Sequence, residues 1–221
     1  LEWKPYEEIL GYLDYECAHG LEETDVLPGI MKCAVDYRGI TDYIVKMLGV
    51  TADCAVKHRI PIFCHTIPEL KHGGAMLDIM ADHGVPMRAV IAGHSGDVDD
   101  IDYLESLLAR GCYLGMDRFG TVTKTPGTTL ENRCKTILRL CRDGFAGQLL
   151  VSHDYAPYTG FLPDWKTASS EEALNSPVSF TYFETAAVPL LREMGLTAEQ
   201  EKKLKADNPR SFFENAFEEG V

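Results

Sequence analysis

With 221 residues, the chain is long enough for one domain with a substantial core, or for two small ones. Its 45% apolar and 25% charged residues are ordinary for a soluble globular protein, and 34 acidic against 21 basic residues leave a formal charge of -13. An acidic body with no long Lys/Arg run repels phosphate backbones, which argues against nucleic acid as a partner. No stretch approaches the roughly 18 uninterrupted apolar residues that a membrane span needs, and LEWKPYEEIL at the start has no apolar signal core.

In chain order, residues 5–19 (PYEEILGYLDYECAH) read as a helix with Pro5 at its first position, the tail of a βα unit whose strand is missing. The apolar run 29–35 (GIMKCAV) reads as a buried strand, and residues 39–58 as a helix with apolar positions three or four apart. A second strand at 60–65 (IPIFCH) is followed by a short helix at 74–83, which Gly84–Val85–Pro86 stops. The run 87–94 (MRAVIAGH) is a third strand, and Asp99 or Asp100 caps the helix IDYLESLLAR, which Gly111 ends. CYLGMD (112–117) is a fourth strand; TTLENRCKTILRLCRDG is a helix with Thr128 or Thr129 near its start and Gly144 at its end. GQLLVSHD (147–154) is a fifth strand. Residues 155–178 form a long loop rich in aromatics, Pro and Ser, and 179–194 resume a helix that Pro189 kinks or breaks. In TAEQEKKLKADNPRSFFENAF, Asn208–Pro209 is expected to separate two short helices.

None of the apolar runs alternates cleanly, as expected for a sheet covered on both faces, and strand and helix alternate as in repeated βαβ units. Periodicity alone is nearly a draw between two open-sheet halves and a closed barrel. The positions of the polar residues break that draw. Lys32, His65, His94, Asp117 and Asp154 each stand at or near the end of an apolar run. The carboxyl ends of parallel strands open onto one face, so these residues would converge there. Two imidazoles, a carboxylate and an amine suggest a metal site; imidazole and carboxylate suit zinc, manganese, iron or cobalt.

A single histidine at a strand end is more often a satisfied polar residue than a ligand; several on one face shift that balance. Lys32 is the odd member, because a buried ammonium is costly unless paired and would repel a metal. Either it pairs with a carboxylate such as Asp117 or Asp154, or carbon dioxide converts its nitrogen to a carbamate able to bridge two metals. His153 precedes Asp154 and points to the opposite face of a strand, so Asp154 is the site residue of the two. His19, His58, His72 and His83 lie in helix or turn contexts that exposure or a helix C-terminus accounts for. Cys33 and Cys64, next to Lys32 and His65, read as outward-facing core residues. The seven cysteines (Cys17, Cys33, Cys54, Cys64, Cys112, Cys134 and Cys141) are odd in number, widely spread and form no CxxC pair. That is the pattern of reduced, buried thiols in a cytoplasmic enzyme-sized domain, and it argues against a structural zinc.

GIMKCA, IPIFCHT, IAGHSGDVDDIDYLESLLARGCYLG, LLVSHDY and the terminal NPRSFF resemble segments of the phosphotriesterase family within the amidohydrolase superfamily, from about Pro5 to Phe217. The resemblance implies an α/β fold, a (β/α)8 TIM barrel, of which this chain supplies about strands 4–8 as one partial barrel domain over 1–221. It implies metal ligands at Lys32 (carboxylated and bridging), His65, His94 and Asp154, with Asp154 also accepting a proton. GMDRFG at 115–120 resembles the lactonase branch of the family, which places Arg118 in the catalytic pocket as a wall and as a partner for polar groups. Tyr155 and Trp165 fall in or near the loop that sets specificity.

The implied function is metal-dependent hydrolysis of lactones or related esters by attack of a metal-bound hydroxide, with phosphotriesterase side activity. Hydrolysis of aryl or alkyl phosphotriesters, and a non-catalytic structural or binding role, are the alternatives. The implied cofactors are divalent ions, zinc first with manganese, cobalt or iron as options: two if the first-strand ligands are supplied, otherwise one or none. No His-x-His motif occurs anywhere in the chain, and strands one to three are missing. The chain is therefore expected to be a fragment of a longer product, a short form that rebuilds its edge by oligomerisation, or an inactive relative. Expected partners are a small ester or lactone and either a second copy or the missing N-terminal part, in the cytoplasm, with no nucleic acid and no membrane.

Overall fold

Each of the five apolar runs forms a strand shorter than the run itself: β1 Met31–Ala34, β2 Ile62–His65, β3 Val90–Gly93, β4 Tyr113–Met116 and β5 Leu149–Val151. The computed structural model describes residues 1–120, 128–155 and 179–218. The strands are parallel and pair in chain order, β1-β2-β3-β4-β5. A two-halved open sheet reverses its order at a switch point, whereas stepping always to the next neighbour is the order of a barrel wall. These five strands are an arc of a (β/α)8 barrel.

Helices return the chain between strands: α1 Tyr6–His19 precedes β1, then α2 Asp42–His58, α3 Gly73–Asp82, α4 Ile101–Leu108 and α5 Leu130–Arg142. Their starts follow from capping chemistry. Thr41, Asp100 and Thr129 each accept a hydrogen bond from a backbone N–H three residues on, those of Ile44, Tyr103 and Asn132. Asp100 rather than Asp99 caps α4, and Thr129 rather than Thr128 caps α5. Pro5 stands just before α1, at its N-cap, not at its first helical position.

Register explains which strand residues face inward. Lys32 pairs with Phe63, Phe63 with Ile91 and Ile91 with Tyr113, so these four form one row. Ala34, His65 and Gly93 form a second row on the same face, nearer the carboxyl ends. The intervening row, Cys33, Cys64, Ala92, Leu114 and Leu149, faces the helices. Two apolar clusters result. The larger lies between sheet and helices, and a small one of Ile91, Tyr113 and Phe212, with Phe63 and Leu150 against it, fills the inner face.

The last elements are α6 Val188–Glu193, α7 Ala198–Lys202 and α8 Asn208–Asn215. A π-helical turn precedes α6 at Phe183–Ala187 and joins α7 to α8 at Lys203–Asp207. The expected break at Asn208–Pro209 is therefore a correction: Asn208 keeps helical dihedrals, φ -66° and ψ -48°, and the helix runs through. Both prolines, Pro189 and Pro209, follow such a wide turn. A proline lacks the N–H for an i−4 bond and its ring crowds that carbonyl; the wider i−5 turn relieves the crowding without ending the helix. Asn208 is buried and donates from Nδ2 to the carbonyls of Ala146 and Leu149, both at 2.8 Å, which ties α8 to the start of β5.

Of the loop expected at 155–178, residues 156–178, Trp165 among them, lie outside the described residues. Among the described residues no helix is long and apolar enough to cross a membrane.

Candidate metal centre

His65 ends β2, and His94 directly follows β3. His65 Nδ1 lies 2.8 Å from His94 Nε2, and the two rings cross at 78° with centroids 4.5 Å apart. Two imidazole nitrogens on one tetrahedral zinc lie about 3.4 Å apart, from Zn–N bonds of about 2.0–2.1 Å. The pair therefore needs to open by only about half an ångström to share an ion.

Asp117, directly after β4, sets the orientation of His94. Its carboxylate accepts the His94 backbone N–H at 3.1 Å to both oxygens and meets Nδ1 at 2.9 Å. A carboxylate on Nδ1 holds the proton there and leaves the Nε2 lone pair facing His65, the usual support for a metal-binding imidazole. Both residues are about 4% exposed, so the contact is shielded from water. Burial, reinforced by the neighbouring His94, Arg118 and Lys32, pushes His65 down to about 4. It is neutral at pH 7, the form a ligand needs.

A cavity of about 300 Å³ opens at this end of the sheet, lined by Lys32, Phe63, His94, Asp117, Ser152 and Asp154 among others. Lys32 Nζ lies 3.8 Å from the centroid of the Phe63 ring. Among the described residues it makes no ion pair, so the expected direct pairing with Asp117 or Asp154 is not seen; both carboxylates act on it from farther off. Burial is the largest influence and lowers its pKa, which favours the neutral amine, the form that can react with carbon dioxide.

Asp154 follows β5 at the mouth. Arg118 donates from Nε to Asp154 Oδ2 at 3.0 Å and from Nη1 to Asp97 Oδ2 at 2.7 Å. Arg118 thus holds Asp154 in place more than it walls a pocket. Behind it, Arg133 donates from Nη2 to Asp97 Oδ1 at 2.6 Å and from Nη1 to the Arg118 carbonyl at 2.7 Å. His153 points the other way, accepting the Phe183 backbone N–H at Nε2, 3.2 Å away, while Ser152 and Asp154 share the cavity side.

The backbone at both strand ends is left-handed. His94 has φ 63° and Asp154 φ 47°, a region uncommon for residues other than glycine.

Lys32, His65, His94 and Asp154 are thus brought together, with Arg118 beside Asp154. Sequence reasoning missed Asp97 and Arg133 as the buried support, and it assigned Asp117 no orienting role. The acidic turn GDVDD after His94 was the one available signal for Asp97; nothing in the periodicity of α5 distinguishes Arg133 from its other charged residues.

Gly115 makes room for this support. A Cβ there would stand 2.2 Å from Asp117 Oδ2 and 3.1 Å from the Gly93 Cα. Gly115→Ala is expected to cost about 1–3 kcal/mol of stability through overpacking. By shifting Asp117 it is also expected to weaken metal binding by about 10–100-fold. Denaturant midpoints and metal titration of the same variant check the two effects.

Comparison with known proteins agrees with this fold. The sequence model of the Phosphotriesterase family matches residues 6–213. A "Phosphotriesterase homology protein" of Mycobacterium tuberculosis is 35% identical over 201 residues, covering 89% of this chain and 58% of that protein. An "Aryldialkylphosphatase" of Saccharolobus solfataricus is 29% identical over 209 residues, covering 94% and 64%. The solved structure of the phosphotriesterase from Mycobacterium tuberculosis superposes with a TM-score of 0.81 at 32% identity, over 93% of this chain and 61% of that one. The chain spans about six-tenths of the length of the relatives it matches. On the match across most of its length and the shared barrel wall, the chain belongs to the phosphotriesterase family.

Proposed function

We propose that the full-length protein is a metal-dependent hydrolase of lactones or related carboxylic esters, with weaker activity on phosphotriesters. The observation that carries this reading is the meeting of His65 Nδ1 and His94 Nε2 at 2.8 Å, beside a cavity that Lys32 and Asp154 also line. Nitrogen and carboxylate donors fit zinc, manganese, cobalt or iron. A bound divalent ion supplies Lewis acidity toward the substrate's carbonyl or phosphoryl oxygen and acidifies water.

The remaining work falls to the chain. His65 and His94 hold the ion, with Asp117 keeping the His94 proton on Nδ1. Lys32 Nζ bonds to the carbon of carbon dioxide and releases a proton, giving a carbamate that turns an ill-placed cation into an anionic ligand. Asp154, steadied at Oδ2 by Arg118, accepts a proton from attacking water and passes it to the leaving oxygen. Phe63 keeps the floor of the cavity apolar beside Lys32. A second ion would take further ligands from barrel strands one to three, whose relatives' length leaves room for them. The preference for lactones rests on Asp117–Arg118. The name of the Saccharolobus relative supports phosphotriesters as the second reading.

Lys32→Arg separates the two roles of that residue. The variant keeps a cation and cannot form the lysine carbamate. Metal affinity at this centre and turnover are expected to fall at least tenfold; normal values would mean that Lys32 serves only as a charge. Comparing kcat/KM of the full-length protein across lactones and aryl dialkyl phosphates tests the substrate class, with elemental analysis expected to find one to two ions per chain in addition to any held outside this centre. Absence of both metal and turnover would leave the structural role.

A further inference from the structure

A second cluster of ligand-type side chains lies at the other end of the sheet, in the layer of helices. Cys17 stands near the end of α1, and Cys54 and His58 stand one turn apart at the end of α2. One donor atom from each of the three lies within 4.8 Å of the other two. Because α2 ends immediately ahead of β2, whose far end carries His65, the cluster is separated from the candidate metal centre by the length of that strand.

We propose that Cys17, Cys54 and His58 form a zinc site that clamps α1 to α2. The spacing has the right value for thiolate ligation. The two sulfurs are 3.7 Å apart, and two sulfurs bound to tetrahedral zinc at about 2.3 Å lie about 3.8 Å apart. A disulfide requires them to close to about 2.05 Å. The i and i+4 placement of Cys54 and His58 puts both on one face of a helix, turned toward Cys17.

His58 carries the support expected of a ligand. Its Nε2 lies 3.0 Å from Asp14 Oδ1, and the other Asp14 oxygen takes Lys57 Nζ at 2.6 Å. A carboxylate on Nε2 holds the proton there and leaves the lone pair on Nδ1. Cys54 is fully buried and Cys17 8% exposed, while the His58 side chain still reaches solvent at 19%, which leaves an entry for the ion and a water as fourth ligand. Each sulfur must release its proton when zinc binds. The odd number and wide spread of the cysteines, with no CxxC pair, argued against a structural zinc; here Cys17 and Cys54 are 37 residues apart and meet because two successive helices pack side by side.

Cobalt is the probe. The full-length protein, stripped of metal and held reduced with a non-chelating phosphine, is titrated with Co²⁺ and followed by absorption. Thiolate ligation gives an intense sulfur-to-cobalt charge-transfer band in the near ultraviolet, which the sulfur-free candidate centre cannot give. The expected result is one such band per chain, erased by an equivalent of Zn²⁺ and lost in Cys17→Ser. It is expected to weaken at least tenfold in apparent affinity in His58→Ala, a change at a partly exposed helix end that leaves the fold intact. The band is expected to persist in His94→Asn, which isolates it from the hydrolase centre. No charge-transfer band in the wild-type protein overturns the proposal. So does a band that survives Cys17→Ser, or a Cys17–Cys54 disulfide by mass with no cobalt band after its reduction.

Discussion

His94→Ala is expected to strip the candidate centre of the full-length protein of most of its divalent metal, and to remove hydrolysis with it. The loss should exceed the roughly 10–100-fold that follows from removing an outer hydrogen-bond partner of a ligand. The variant deletes Nε2, which meets His65, and Nδ1, which meets Asp117, in one step. It also leaves the Asp117 carboxylate, about 4% exposed, without its imidazole partner, a cost of about 1–3 kcal/mol or more for a charged group. Some of that instability would come from placing alanine at φ 63°. His94→Asn is the control, since asparagine tolerates the left-handed region and can still donate to Asp117. Metal content by elemental analysis, turnover and circular dichroism are read on both variants. Full metal occupancy in His94→Ala would remove this residue from the ligand set.

Asp97→Ala is expected to be the most destabilising change around the centre, by about 3–5 kcal/mol, because it breaks a buried ion pair and leaves its partner charged. Asp97 takes Arg133 at 2.6 Å with both side chains about 5% exposed, and Arg118 at 2.7 Å. Asp154→Ala removes the other carboxylate on Arg118, but that side chain is 46% exposed, and a pair so open to water contributes about 0–1 kcal/mol. Urea unfolding of both variants in metal-free form gives the contrast. Equal losses would mean that Asp97 and Arg133 are not the anchor of this network. Because Arg118 links Asp97 to Asp154, Asp97→Ala should also loosen Asp154 and lower turnover in the molecules that remain folded.

The strands were legible because each is a short, mainly apolar run bounded by breakers, and the starts of α4 and α5 because Asp100 and Thr129 are good caps. The order of the strands was not legible, since periodicity is the same for a barrel wall and an open sheet; only pairing in chain order separates them. Pro209 misled for a physical reason. A proline forbids an α-turn at its position but not a π-turn ahead of it, and no simple residue pattern announces the wider turn. Of the site, Lys32, His65, His94 and Asp154 could be read from strand ends. Asp97 and Arg133 could not, because their value comes from being buried together across 36 residues. The reading of Cys33 and Cys64 as outward residues followed from strand alternation and agrees with their pairing in the row that faces the helices.

The left-handed turns at His94 and Asp154 constrain how this rim can evolve. Among side chains, histidine, asparagine and aspartate enter that backbone region most readily after glycine, and β-branched residues least. Random change at these two positions is therefore filtered by sterics before any selection on chemistry acts. The survivors are enriched in groups that coordinate ions or shuttle hydrogen, so drift there trades one ligand for another more readily than for an inert aliphatic.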